Sequence, residues 1–517
     1  MELTKLIQTR RHTTDPADHL HVLFAVSEVA PFSKSGGLGD VASALPAALP
    51  EMGHHVSVIS PLYKHLDPVK LNFSRRLLPL EVAQKGLRMS KTEFIVWETR
   101  HANGTRLIFL QNDEFFGEDN LYGDGEKEYE DNSKRFAIFS RAVIEYARSA
   151  SRPFDIIHSN DWQTALCNVY AKHYYADEFQ NTAFVLTIHD LSKQGTFPID
   201  NFDDTGLPKT KYLKSGDLLS EDKSELNFLR AGILYTDKIT TVSPTYATEI
   251  LDEERAFGLH ETLQSRKEEL SGILNGADYN VWSPDADREI EVNYDLENLN
   301  GKRRNKAALQ HLYKLPVRPM LPLLAFVGHL TEQKGVDLLV SALDQLLETF
   351  TSERDGFQVI FLGEGPAANK KLIDDLAQKY PRRVAVKTDY DEATAHKIQA
   401  GADILLVPSR FEPCSLTQIY ALRYGTLPLV HATGGLVDTV TDATEGTSQG
   451  TGFVLESLDV DHIKETILRA TSNFRHYRQW RPLMINAMLQ NFSWVQAAKH
   501  YHKVYTATLS EKKEKPN

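Results

Sequence analysis

"LPLLAFVGHLTEQKG" (321–335) sets an unbroken apolar run against a polar loop. The run at 321–327 reads as a strand buried on both faces, closing at Gly328. Two basic side chains, His329 and Lys334, leave the loop beyond it, a placement suited to an anion. Only Lys334 is dependably charged at neutral pH, because an unperturbed imidazole titrates at about 6.5.

The same arrangement recurs along the chain. Apolar runs stand at "HVLFAV" (21–26), "VSVIS" (56–60), "RLIFL" (106–110), "DIIHS" (155–159), "TAFVLTI" (182–188) and "KITTVS" (238–243). A second series follows at "FQVIFLG" (357–363), "VAVKT" (384–388), "ADILLVPS" (402–409) and "LPLVHA" (427–432). Helical patterns lie between them, as in Phe136, Phe139, Val143 and Tyr146 at offsets of three and four. Near-continuous strands alternating with helices predict parallel sheets covered on both faces. The two series meet at the turn-rich "LNGADYNVWSPDADRE" (274–289), which reads as a hinge. The expected fold is α/β, with two doubly wound Rossmann-like domains facing a central cleft and ligands held beyond the carboxyl ends of the strands.

A chain of 517 residues is too long for one ordinary core. The expected division is a flexible extension (1–19), a first domain (20–274), a second domain (275–489), a terminal helix packing back on the first domain (490–508) and a disordered tail (509–517). Net charge of −12 argues against nucleic acid and anionic membrane as partners. No apolar run reaches spanning length, and no apolar stretch follows Arg10-Arg11 as a secretory signal would need. Two cysteines, Cys167 and Cys414, make no disulfide framework and no metal-ligand spacing, which points to a reducing, cytoplasmic setting.

The unusual residues collect after the strands. "SKSGGLGDV" (33–41) offers Lys34, a Gly36-Gly37 turn and the N–H groups of a helix beginning near Leu38. "ATGGLVDTV" (432–440) repeats the turn with Gly434-Gly435, so the pair suggests two anion-receptive helix ends. In "PSRFEPCSLTQIYALRYG" (408–425) a strand ends, Arg410, Glu412 and Cys414 follow, and a helix starts near Leu416-Thr417. Those helix N–H groups suit a phosphate and Glu412 suits sugar hydroxyls, although a first-turn acid favoured by the helix dipole reads equally well. Cys414 reads as a packing thiol. "HSNDWQTAL" (158–166) and "TIHDLSKQG" (187–195) place His158 and His189 after strands, where a lone histidine is more often structural than chemical. No HxxxH, Cys/His cluster, nucleophile elbow or GxGxxG is present. Asp285/Asp287 and Asp459/Asp461 sit in turn-like settings that fit solvated aspartates better than a metal site.

Taken in order, "KSGGLGDV", "HSNDW", "TIHDL", "LRAGILYTDKITTVSPTYATEI", "GILNGADYNVWSP", "LTEQKGVDLL", "PSRFEPCSLTQ", "TGGLVDTV" and "FSW" are similar to the bacterial and plant glycogen/starch synthases. The resemblance runs from about Val22 to Tyr505. It implies the two-domain GT-B fold and glucose transfer from ADP-glucose to the non-reducing end of an α-1,4-glucan primer (glycogen or starch), with retention and without cofactor or essential metal. It implies that Lys34, with Gly36 and Gly37, meets the donor from the first domain. Asp161 and His189 would lie near the transferred glucose, Lys334 at the diphosphate and Glu412 at the glucose hydroxyls. Asn275, the backbone of Cys414, Ser415, Leu416 and Thr417, and Gly434 and Gly435 would complete the substrate site, with Tyr390 stacking on adenine. Tyr420, eight positions after Glu412, stands where sucrose-type transferases carry a second glutamate.

The sequence departs from the family in four places. His329 replaces an arginine of Ser/Gly-Arg-Leu-Thr-x-Gln-Lys-Gly, losing a permanent charge and a bidentate donor. Removing one preorganised donor typically costs ~10²–10³ in rate, so His329 is a further catalytic candidate and an attenuated turnover is expected. Ser415 replaces glycine, Asp190 replaces asparagine and Arg230 replaces lysine. A weakly active glucan-binding homologue and a UDP-glucose-dependent synthase are the rival readings.

Overall fold

Each apolar run quoted above is a strand in the computed structural model, which describes residues 19–514 apart from 85–89, 102–103, 125–126, 353–354 and 444–448. The helical pattern of Phe136, Phe139, Val143 and Tyr146 is the inward face of the helix Asn132–Arg148, with all four side chains buried.

The chain divides into two compact units. The first comprises Met1–Thr240, Ile250–Ser271 and Ala497–Asn517; the second comprises Thr241–Glu249 and Gly272–Gln496. In the first, the parallel strands run in the order Ala183–Ile188, Ile156–Asn160, His21–Ala25, His55–Pro61, Arg106–Gln111. Val22 lies opposite Val56 on one side and Ile156 on the other. The long strand Ser90–Arg100 adds antiparallel to Arg106–Gln111. Its buried Phe94 and Val96 alternate with more exposed residues, so it lacks the continuous apolar signal of its parallel neighbours.

The second unit has a parallel sheet in the order Val384–Lys387, Gln358–Leu362, Leu323–Val327, Ile404–Val407, Leu427–His431, Phe453–Leu455. Both sheets are doubly wound. From its opening strand the chain builds one side and then returns to build the other, so strand order reverses between His21–Ala25 and Ile156–Asn160, and between Leu323–Val327 and Ile404–Val407. At such reversals the loops diverge above and below the sheet and leave room for a ligand at the carboxyl ends.

The last helix, Trp494–Glu514, corrects the expected tail. Residues 509–514 are helical because the apolar face continues through buried Thr508 and Leu509, and Lys512 Nζ reaches Asp237 Oδ2 at 2.9 Å. The expected extension at 1–18 and the residues 515–517 lie outside the described residues. Among the described residues no helix is long and apolar enough to cross a membrane.

Candidate active site

In the first unit the reversal point is organised by a residue whose role the motif reading did not assign. Glu28 follows the opening strand and is buried, and its carboxylate accepts from Ser35 N (2.6 Å), Ser35 Oγ (2.8 Å) and Gly39 N (3.2 Å). Burial raises its pKa while these bonds oppose the rise. The carboxylate therefore shapes the Lys34–Gly39 loop from inside. A Cβ at Gly36 or Gly37 would meet nothing within 4 Å, so the loop stands open there. Lys34 is exposed and pairs with Asp40 at 2.8 Å. The helix Gly37–Ala48 starts at the glycine pair, leaving first-turn N–H groups at the open face.

Asp161 begins the helix Asp161–Tyr174 with φ +52°, a left-handed conformation strained for a non-glycine residue and concentrated at functional sites. Its Oδ1 accepts from His189 N at 2.7 Å, joining the carboxyl ends of two adjacent strands. His189 Nε2 lies 2.9 Å from Asn160 Oδ1, and Asn160 Nδ2 donates to Ala25 O at 3.0 Å. The amide oxygen must therefore accept, which puts the imidazole proton on Nε2. Burial disfavours charge on both side chains: it raises Asp161 to about 7, with Asp190 adding to the rise, and lowers His189 to about 3. His158 is not part of the site: it is fully buried, and its ring nitrogens meet Tyr505 Oη at 2.7 Å and Thr187 Oγ1 at 2.6 Å.

In the second unit Lys334 and Glu412 meet. Lys334 Nζ donates to Glu412 Oε2, which also accepts from Ser409 Oγ at 3.0 Å. The two reach each other because Gly335, at φ +70°, brings its loop against the strand end; a Cβ there would lie 2.0 Å from Pro408 O. Arg410 clamps the two loops, its N–H on Gln333 O at 2.8 Å and its guanidinium bidentate on Asp337 at 2.8 and 2.7 Å. Its charge is thus spent on Asp337. On the 328–335 loop the other basic side chain is His329, which is exposed next to Gly328.

The other second-unit candidates fall into two groups. Asn275 is buried with no partner for Oδ1, while its backbone N–H reaches the Cys414 thiol, which burial pushes up to about 12. Tyr390 projects an exposed ring beyond the strand Val384–Lys387. Leu416 caps the short helix Thr417–Arg423, whose first N–H, Thr417, lies 3.3 Å from Ser415 Oγ. The substituted serine therefore occupies an amide that glycine would leave open.

Gly434 and Gly435 behave differently. Gly434 N donates to Glu249 Oε1 at 3.1 Å and Gly435 N to Pro413 O at 3.0 Å. A Cβ on Gly434 would lie 2.0 Å from Glu412 O, and one on Gly435 2.9 Å from Cys414 Cα. The anion received at this turn is the chain's own Glu249, and the glycines pack against the backbone of Glu412 to Cys414.

Other residues are structural. Arg230 donates to Thr262 Oγ1 (2.9 Å), Gly216 O (2.7 Å) and Leu219 O (2.9 Å). Tyr420 stacks on Trp282 at 4.0 Å. Asp287, read as solvated, is buried and accepts from Tyr424 Oη (2.6 Å) with His396 Nδ1 at 2.8 Å; Asp459 caps a helix through His462 N at 3.0 Å. Among the described residues no group of three or more His, Cys, Asp or Glu is placed to hold a metal. Sequence reasoning missed Glu28, the Arg410–Asp337 clamp and Glu249. Only Glu28 carries a signal, as an acid directly after a buried strand.

Comparison with known proteins agrees with the α/β fold and places the chain in a family. Residues 21–265 match the family model of the starch synthase catalytic domain and residues 312–482 that of glycosyl transferases group 1. A glycogen synthase of Anaeromyxobacter sp. (strain Fw109-5) is 40% identical over 489 residues, covering 94% of this chain and 99% of the relative. Glycogen synthase 2 of Geobacter sulfurreducens is 38% identical over 488 residues, covering 94% and 98%. Among solved structures, the catalytic domain of starch synthase IV from Arabidopsis thaliana, bound to ADP and acarbose, superposes with a TM-score of 0.87 at 30% identity, covering 95% of this chain and 100% of that one. Likeness of this extent establishes that the chain belongs to the glycogen/starch synthase family of GT-B hexosyltransferases.

Proposed function

We propose that the protein transfers glucose from ADP-glucose to the non-reducing end of an α-1,4-glucan with retention, and that the residues above divide this work. The observation that carries the reading is the Lys334–Glu412 pair at the second sheet's reversal point. A nucleotide sugar asks for a cation at its phosphates and an acceptor at its sugar hydroxyls, and here the two stand side by side. An ammonium donates three bonds, so Lys334 serves a phosphate oxygen without leaving Glu412. Asn275 Oδ1, buried without a partner, is a further acceptor for a hydroxyl. Tyr390 offers its exposed ring to adenine, and the starch synthase IV domain solved with ADP supports an adenine nucleotide. Gly434 and Gly435 act by holding the Glu412–Cys414 turn in place.

In the first unit Lys34 contributes a second cation. Ionised Asp161 stabilises positive charge growing at the anomeric carbon, and His189, held neutral, keeps from opposing it. The bond from the anomeric carbon to the diphosphate breaks, its electron pair leaving with the phosphate oxygen. That oxygen takes the proton of the incoming 4-hydroxyl, which attacks on the same face. The unpaired cysteines, Cys167 and Cys414, fit a cytoplasmic setting.

Radiolabelled ADP-glucose and UDP-glucose, supplied in parallel with a glycogen primer, test the reading. The expected result is label incorporation from ADP-glucose at least ~10-fold faster than from UDP-glucose, lost in Glu412→Ala with the fold retained. Preference for UDP-glucose overturns the donor assignment, and undiminished turnover in Glu412→Ala overturns the sugar-binding role.

A further inference from the structure

A cavity of about 730 Å³ opens at the amino ends of His21–Ala25, His55–Pro61 and Arg106–Gln111, the sheet edge opposite Lys34, Asp161 and His189. That volume lies within the roughly 300–1,000 Å³ range of small-molecule sites. Its lining includes four arginines, Arg76, Arg100, Arg106 and Arg152, and among the described lining residues there is no carboxylate. In a chain of net charge −12 such a concentration is local and one-sided.

The counter-ions stand behind the cavity wall and are fewer than the cations. Glu98 takes both Arg76 Nε (2.7 Å) and Arg106 Nη2 (2.5 Å). Asp155 lies 4.0 Å from Arg152 but already accepts from His21 N at 2.7 Å. Arg100 donates to the carbonyl of Gly104 at 2.9 Å. Two positive charges are left in surplus before any imidazole is counted, and His21, His54 and His55 also face the space. Burial lowers the pKa of His21, so the arginines set the field. One feature opposes an anion: the last turn of Asn132–Arg148 ends at the cavity. Its carbonyls are partly answered, by Ser149 N on Glu145 O (3.0 Å) and Ser149 Oγ on Tyr146 O (2.8 Å).

The arginines are also ordered in advance. Arg76 lies over the Tyr146 ring at 4.6 Å and donates to its hydroxyl at 2.9 Å. Guanidinium forks match phosphate oxygens in pairs, and the choice of arginine at all four positions, with no lysine, selects for that geometry. Ser57 and Ser151 add hydroxyls suited to a polyol. We infer that this cavity binds the phosphate group of a small phosphorylated ligand, at a site separate from the one that handles the donor.

Calorimetric titration of the full chain with orthophosphate, ribose 5-phosphate and unphosphorylated ribose, at ionic strength matched with KCl, tests this. Saturable binding of a phosphate-bearing probe is expected, with none for ribose. Tighter binding of ribose 5-phosphate assigns the site to a phosphorylated sugar; equal binding of orthophosphate assigns it to free phosphate. Arg100→Gln/Arg152→Gln, at two exposed positions, should weaken binding at least ~10-fold while basal glucose transfer and the thermal midpoint stay unchanged. No saturable binding, or equal affinity in the double variant, overturns the inference.

Discussion

Asp161 and His189 share a hydrogen bond, yet their ionisations move apart, because taking charge out of water raises an acid and lowers a base. Asp161 is left poised near 7. If its ionised form supports transfer, activity rises with pH through that region. Asp190 bears on this directly, since its charge helps hold Asp161 up. Asp190→Asn keeps the acceptor that binds Ser192 N and Oγ, at 3.0 and 2.7 Å, and removes only the charge. The rising limb of the rate profile should then move to lower pH. An unmoved limb means Asp161 does not govern it. His329 predicts the opposite limb: an imidazole standing in for arginine helps the leaving diphosphate only when protonated, so activity falls again as pH rises. His329→Arg should abolish that fall and raise kcat ~10–100-fold at saturating donor. Unchanged rate and profile would show that His329 is not the substitute. The two limbs together make a bell whose sides answer to different substitutions.

At the scale of elements, the short turn at Gly434-Gly435 does more than its sequence says. Only a glycine fits where φ is +45° and a Cβ would sit 2.0 Å from Glu412 O. Gly434→Ala should displace Glu412 and lower kcat/KM at least ~10-fold, with donor transfer more affected than overall unfolding temperature. A variant with full activity would detach this turn from the site. The same element shows where sequence reading stops. The parallel strands were legible because burial on both faces leaves a continuous apolar trace, and Lys334, Glu412, Asp161 and His189 stood out as polar residues after strand ends, whereas the strand order that puts a reversal there had no trace in the sequence. The engagement of the Gly434 amide by Glu249 was not legible, because contacts between residues 185 apart leave no local trace. For the same reason the bidentate pairing of Arg410 with Asp337 was not legible. The tail at 509–514 was misread because its charged end, Lys512 and Lys513, hides an apolar face ending at Leu509.

At the scale of the whole molecule, the chain's end completes its beginning. The terminal helix Trp494–Glu514 leaves the second unit at Gln496 and joins the first, where His502 Nδ1 lies 3.0 Å from His54 Nε2 and Tyr505 Oη 2.7 Å from His158 Nδ1. His158 is held neutral by burial, with a pKa of about 3, so it offers one donor and one acceptor. Thr187 and Tyr505 satisfy both, and Thr187 passes the chain of bonds on to Thr240 at 2.6 Å. A core histidine on one of the sheet's central strands therefore depends on a hydroxyl 347 residues away. Tyr505→Phe keeps the ring packing and removes only that partner, leaving a buried nitrogen unpaired at a cost of ~1–3 kcal/mol. The denaturation midpoint of the first unit should fall accordingly, while kcat and donor KM, measured well below the transition, stay at the parent values because neither residue faces the reaction. A midpoint equal to the parent would mean that the helix is held by its apolar face alone, through buried Ala498, Tyr501 and Leu509, and that the histidine finds its second partner elsewhere.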